Sequence, residues 1–196
     1  MNLPNKLTIL RILLTFVFMF FLFLRGVSFK ILALLVFVLA SLTDMLDGYI
    51  AKRNNMITDF GKLMDPIADK ILVIAAFLAF IELNIIPAWM AVIVMFRELV
   101  ITGFRILALS KKKVLSADEA GKHKMVSQVI AILAVLVFLI LKEGGAGVFG
   151  FWNQKVETLY REVIFGFMIV TVSLTIVSGV AYFIDNRDLY ININTK

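Results

Sequence analysis

The sequence contains no cysteine. No disulfide framework can staple the chain, and the redox state of its compartment stays open. Histidine occurs once, at His123 between Lys122 and Lys124. A solvated place at a charged rim suits it, and no catalytic role is assigned to it. Strand-like alternation of apolar and polar residues is missing, which argues against a transmembrane β-barrel. There is no internal repeat and no low-complexity linker, so one domain over residues 1–196 is the simplest organisation. Charge is scarce as well, at 17% of residues against 61% hydrophobic. A soluble domain of this size rarely carries so much apolar surface, so the class is polytopic membrane protein.

A spanning helix needs ~20 apolar residues. Six segments qualify: Leu7–Leu24, Ile31–Ala51, Pro66–Leu83, Pro87–Leu109, Met125–Leu141 and Val163–Ile184. The expected fold is all-α, a bundle of six transmembrane helices. Lys6 and Arg11 followed by LLTFVFMFFLFL look superficially like a signal peptide. Arg25-Gly26-Val27 follows, with no small-residue cleavage site, so the segment is expected to be a retained first span.

The net charge of +6 is less informative than its placement. With the N-terminus inside, one face collects Lys6, Arg11, Lys52, Arg53, Lys62, Lys111, Lys112, Lys113, Lys122, Lys124, Arg187 and Lys196. The other collects Arg25, Lys30, Lys142, Lys155 and Arg161. That bias predicts cytoplasmic termini in a multi-pass protein of the cell membrane. Trp89 and Trp152 fall near the outer ends of spans, as interfacial aromatics do. Two longer loops are expected, Ser110–Lys124 inside and the glycine-rich Lys142–Glu162 outside. Ser116-Ala117-Asp118-Glu119 reads as a capping box, opening the fifth helix ahead of the membrane. Gly121, Lys122, Lys124 and Gln128 would then stand on a helical extension at the cytoplasmic rim.

The stretch from Asp44 to Asp69 reads DMLDGYIAKRNNMITDFGKLMDPIAD. Asp44 and Asp47 are three apart, and Asp65 and Asp69 four apart, so at ~100° per residue each pair shares a helix face. Polar residues Asn54 to Gly61 are expected to join the two helices as a loop, with Asp59 a loop or cap residue. Four carboxylates from two antiparallel helices then converge at the cytoplasmic edge. Bound divalent metal relieves their repulsion, and all-oxygen ligation favours Mg²⁺ or Mn²⁺. Two such ions ~3.5–4 Å apart form a clamp suited to phosphoryl displacement. Gly48 and Gly61 remove side chains beside the acidic residues, letting a bulky ligand approach backbone. Structural readings stand beside this one. Asp65-Pro66 suits a helix start, as N-cap and N1. Asp44 and Asp47 could pair with Lys52 or Arg53.

The pattern Asp44-x-x-Asp47-Gly48-x-x-Ala51-Lys52, eight residues, then Gly61-x-x-x-Asp65-x-x-x-Asp69 resembles the signature of the CDP-alcohol phosphatidyltransferase family. One defined position departs: Lys52 stands where the family has arginine. Arg53 keeps the charge, but a lysine lacks the bidentate geometry. Asn2-x-Pro4-Asn5-x-Leu7-Thr8-x-x-Arg11, Arg97-Glu98-Leu99 with Arg105, and Gly121-Lys122-x-Lys124-x-x-x-Gln128 resemble the branch that forms phosphatidylglycerophosphate. Met125 stands where that branch usually has threonine.

The resemblance implies an enzyme that transfers the phosphatidyl group of CDP-diacylglycerol to sn-glycerol 3-phosphate and releases CMP. It implies a Mg²⁺ or Mn²⁺ site held by Asp44, Asp47, Asp65 and Asp69, with Asp69 also the general base. It implies that Asn5, Thr8, Gly48, Ala51, Lys52 and Gly61 bind CDP-diacylglycerol, and that Arg105, Lys122 and Arg187 take the acceptor phosphate. It also implies a homodimer among membrane lipids, with no nucleic-acid partner. Sister acceptors (inositol phosphate, serine, phosphatidylglycerol) would keep the same site. A cation or proton carrier would also explain acids in spans, but carriers place their sites near the bilayer midplane.

Arg97 and Glu98 fall in the fourth span, where charge is expensive and faces the interior. A structural ion pair of Glu98 with a cation on a neighbouring helix is one reading. Arg97 and Arg105, eight apart, lie nearly on one face, and Arg105 reaching a phosphate is the other. Arg187 could equally be a topology anchor, and Lys111–Lys113 a lipid-headgroup patch.

Overall fold

Long runs of Leu, Ile, Val and Phe cannot leave backbone groups unpaired in an apolar setting, and the helix satisfies them within the segment. The computed structural model describes residues 3–54, 59–110, 119–145 and 152–187, and side chains for 7–43, 67–68, 70–106, 123–145 and 152–187. Among the described residues there are six helices and no strand: α1 Leu3–Phe23, α2 Val27–Asn54, α3 Asp59–Glu82, α4 Ala88–Ser110, α5 Glu119–Gly144 and α6 Gln154–Asp185. α1 packs on α2 and α3, α5 on α6 and α2, and α4 on α6 and α3. The core between them holds Phe18, Phe37, Phe77, Phe80, Met90, Leu136 and Met168.

The exterior is apolar too. Phe16 and Phe96 are each 68% exposed, and Phe20, Leu159, Val177 and Ile184 stand out similarly. Contiguous apolar surface on this scale marks a lipid-facing protein. By length and composition, His123–Gly144 and Gln154–Asp185 can cross a membrane, and Leu7–Phe23 and Val27–Thr43 are shorter apolar helices.

Polar contacts close one end of the bundle. Gly26 turns the chain between α1 and α2 with φ +115°, a conformation that favours glycine. Its N–H donates to Glu143 Oε2 at 3.1 Å. The Lys30 ammonium donates to the carbonyls of Leu22 (2.6 Å) and Leu24 (2.8 Å), neutralising the end of α1. α3 ends in a Schellman motif. Asn84 takes φ +54°, its N–H donates to Ile81 O, and the Ile85 N–H donates to Phe80 O. Arg161 of α6 then donates to the Asn84 carbonyl at 3.0 Å.

The structure corrects several expectations. α6 begins nine residues before Val163, so the outer loop is not Lys142–Glu162: α5 continues to Gly144, and Asn153 caps α6. The Asn153 side chain accepts from the Val156 N–H at 3.0 Å, and Glu157 sits in the first turn, where negative charge suits the helix dipole. α3 is helical from Asp59, not from Asp65-Pro66, and α2 is helical to Asn54, while residues 55–58 lie outside the described residues. Asp59 is thus a helical residue of α3 and not a loop residue, and Asp65 and Pro66 are helical interior. Arg11, Lys30 and Lys124 do not face water: they are 1%, 5% and 3% exposed. The tally of charges by face carries no information on depth, and here internal partners compensate for burial. Glu119 is helical within α5, while Ser116-Ala117-Asp118 of the expected capping box and Lys111–Lys113 lie outside the described residues.

Loss of an N-cap costs ~1 kcal/mol. For a chain of this size that lowers the melting temperature by about 2–4 °C. Asn153→Ala should show that loss in detergent by circular dichroism, and Asn153→Ser should restore most of it. An unchanged Asn153→Ala midpoint would remove the cap from the account of where α6 starts.

Candidate active site

Asp44 and Asp47 lie in the second half of α2, and Asp65 and Asp69 in the first half of α3. Asp44 is ten residues before the end of α2, and Asp69 ten residues after the start of α3. At 1.5 Å per residue both stand about 15 Å from the connection, and Asp47 and Asp65 about 10 Å from it. The backbone thus places the two pairs at matching heights on helices in contact. Their side chains lie outside the described residues, as do those of Asn5, Gly48, Ala51, Lys52, Gly61 and Lys122. Four carboxylates offer only hard oxygen donors, and that donor set fits Mg²⁺ or Mn²⁺. Among the described residues, no group of three or more His, Cys, Asp or Glu is placed to hold a metal.

Around that level several described side chains are polar. Thr8 of α1 is buried. Glu98 of α4, 3% exposed, is the hub. Its Oε2 lies 2.9 Å from the Lys70 ammonium, one residue along α3 from Asp69. Its Oε1 pairs with Lys124 of α5 and accepts from Gln128 Nε2 at 3.2 Å. Arg97 Nη1 lies 3.9 Å from the same oxygen. A buried carboxylate needs this many partners, because an uncompensated charge in apolar surroundings costs several kcal/mol, of order the whole stability of a domain. The structural reading of Glu98 is therefore borne out, with cations from two neighbouring helices.

Arg97 crosses to α6, where its Nη2 donates to Ser178 Oγ at 3.1 Å. Gly179 leaves room beside it: a Cβ there would stand 3.3 Å from Arg97 Cγ, a tight contact. Above it, Thr171 donates to the Ser127 carbonyl of α5 at 3.2 Å. The buried face of α6 thus carries three small polar residues, Thr171, Thr175 and Ser178, beside Met168, Val172 and Tyr182.

Arg97 and Arg105 part company. Arg97 is largely buried, while Arg105 is exposed nearer the end of α4. Arg187, just past α6, is exposed as well, and so is His123. The ends of α4 and α6 and the start of α5 lie at the same end of the bundle as the aspartates.

A family model, CDP-alcohol phosphatidyltransferase, matches residues 1–184. The chain belongs to that family. It is 37% identical over 148 residues to the CDP-diacylglycerol–glycerol-3-phosphate 3-phosphatidyltransferase of Bacillus subtilis (strain 168), covering 69% of this chain and 77% of that protein. It is 35% identical over 185 residues to the protein of the same name from Rickettsia typhi, covering 93% and 95%. A probable phosphatidylglycerophosphate synthase of Mycobacterium tuberculosis is 38% identical over 134 residues, 67% of this chain and 64% of that one.

Sequence reasoning passed over Lys70, Ser178 and Gly179. Lys70 carried a signal: a cation inside an apolar run implies a buried acid elsewhere, and Glu98 was the acid available. Ser178 and Gly179 carried none, since small residues in apolar helices pack in many ways.

Removing one partner of a buried ion pair costs about 3–5 kcal/mol. Glu98→Gln keeps the shape and takes the charge from between Lys70 and Lys124. Thermal unfolding in detergent should show a large loss, and Glu98→Asp should retain part of the stability. A wild-type midpoint in Glu98→Gln would show that the network does not hold the helices.

Proposed function

We propose that this chain is a membrane-embedded phosphatidyltransferase that moves the phosphatidyl group from CDP-diacylglycerol to sn-glycerol 3-phosphate, giving phosphatidylglycerophosphate and CMP. The observation that carries the reading is the family signature from Asp44 to Asp69, in a chain matched over 93% of its length by a relative that bears this activity in its name. One domain spans the chain. All six helices cross the membrane, with both termini and the aspartates on the cytoplasmic side. The excess of lysine and arginine at that end supports the orientation, and the exposed apolar side chains support the spans.

Asp44, Asp47, Asp65 and Asp69 hold Mg²⁺ or Mn²⁺. Bound there, the ions supply positive charge to the pyrophosphate and to the departing CMP. Asp69 accepts the proton of the acceptor hydroxyl as that oxygen attacks the phosphorus. Gly48, Ala51 and Gly61 leave room for the nucleotide, Asn5 and Thr8 hydrogen-bond it, and Lys52 offers a point charge. Arg105, Lys122 and Arg187 receive the acceptor phosphate, and the exposure of Arg105 and Arg187 suits a substrate arriving from water. The buried hub at Glu98 holds the turn of α3 next to Asp69 against α4 and α5.

Purified protein supplied with CDP-diacylglycerol, Mg²⁺ and separate acceptors should give a lipid product only with sn-glycerol 3-phosphate. Inositol phosphate, serine and phosphatidylglycerol should give none by mass spectrometry. A product with one of these would move the enzyme to a sister acceptor. Chelator should stop CMP release, and Mg²⁺ or Mn²⁺ should restore it; turnover in metal-free buffer would count against the metal site.

The aspartates should separate by role. Asp69→Asn should lower transfer by roughly 10²–10⁴-fold, the scale of general base catalysis, with CDP-diacylglycerol binding near normal. Asp44→Asn should weaken nucleotide binding and transfer together. Near-normal turnover in Asp69→Asn would assign the base to another group.

A further inference from the structure

The end of the bundle away from the aspartates holds a chamber of about 550 Å³. Lys30, Lys142, Arg161 and Glu143 line it, over apolar walls that include Leu83 and Phe138. Lys30 and Asp44 are fourteen residues apart on α2, about 21 Å along the axis, so this chamber is not the catalytic site.

Its cations are pre-positioned by the protein. Glu157 Oε1 accepts from Lys142 Nζ at 2.7 Å and from Arg161 Nε and Nη2 at 3.1 and 3.0 Å. The Asn84 carbonyl holds Arg161 Nη1 at 3.0 Å. Both cations also stand over the Phe138 ring, 5.9 and 5.7 Å from its centroid. These contacts leave donors in reserve. An ammonium has three N–H groups and a guanidinium five. Lys142 commits one and Arg161 three to the described contacts, leaving two on each. Glu143 is occupied on its own side by the Gly26 N–H and by Lys30, 3.9 Å away. Counting Lys30, Lys142 and Arg161 against Glu143 and Glu157 leaves one positive charge.

We propose that this chamber binds a phosphate-bearing anion, its oxygens on the spare N–H groups of Lys142 and Arg161 and its apolar part on the Leu83 and Phe138 side. A guanidinium fork beside an ammonium is the donor pair that phosphate oxygens favour. Excess positive charge, spare donors and an apolar wall together select an amphiphilic phosphate over a neutral solute. The site goes beyond the transferase reading and does not depend on it. The phosphate comes from a lipid headgroup or from free phosphate, and these are separable.

The chain has two tryptophans, Trp89 and Trp152. Trp152 donates its indole N–H to Glu157 Oε2 at 3.4 Å, so its emission reports on the chamber and not on the distant aspartates. In the full-length Trp89→Phe protein in nonionic micelles, short-chain phosphatidylglycerol should shift Trp152 emission saturably. Short-chain diacylglycerol, which lacks the phosphate, should not. Saturation by the lipid with no response to inorganic phosphate assigns a lipid headgroup; saturation by both assigns the phosphate group as sufficient. Lys142→Gln and Arg161→Gln should each raise the half-saturating concentration at least tenfold, with helicity checked by circular dichroism. If Arg161→Gln fails to fold, Lys142→Gln, which gives up a single described hydrogen bond, still decides. An equal response to diacylglycerol, no saturable response, or undiminished binding in Lys142→Gln overturns the proposal.

Discussion

A carboxylate cannot be left alone in an apolar interior, and the inner half of this bundle is organised around that constraint. Glu98 comes from α4, yet its partners come from α3 and α5, through Lys70, Lys124 and Gln128. Each partner fixes the rotation and height of its own helix. Greasy helices in lipid gain little from burying apolar surface against one another, since the alternative surroundings are as apolar as the interface. Specific polar contacts then decide the register that hydrophobicity leaves loose. The neighbouring Arg97 extends the same hub to α6, where Gly179 gives it passage and Ser178 accepts its hydrogen bond.

The two ends of the bundle divide the work. At one end α2 and α3 bring four acids to matching heights, with Lys70 adjoining Asp69 and tied to Glu98. At the other, turns are sealed by side chains donated from elsewhere: Lys30 closes α1, Glu143 holds Gly26, and Arg161 holds the turn after α3. Carboxylates gathered at one level repel one another and burden the fold that carries them, so a firmly closed opposite end is a useful counterweight.

Much of this was legible in the chain. Apolar run length located all six helices, because a segment of ~20 such residues has few other options. The spacing of Asp44, Asp47, Asp65 and Asp69 pointed to the site, and family membership supports that reading. Boundaries were less legible. The beginning of α6 is polar, with Lys155, Glu157 and Arg161 in its first turns, and an apolar criterion cannot see it. Asp65-Pro66 has the local look of a helix start, but α3 extends N-terminally past it to Asp59. The burial of Arg11, Lys30 and Lys124 was invisible for a different reason. Whether a cation snorkels to water or turns inward depends on partners remote in sequence: Lys30 reaches back to α1, and Lys124 reaches α4.

The sealing contacts at the end away from the aspartates join residues far apart along the chain. Gly26 meets Glu143, 117 positions later, and Asn84 meets Arg161, 77 positions later. A ribosome delivers this protein from its N-terminus. The α1–α2 turn therefore waits for the end of α5, and the α3–α4 turn waits for the first turns of α6. Until then, Glu143 and Arg161 have not been made, and their partners must be satisfied by water or headgroups. Closure of that end is thus a late event in biosynthesis, gated by the last helix, whereas the partners of Glu98 on α3 and α5 are all present once α5 has arrived.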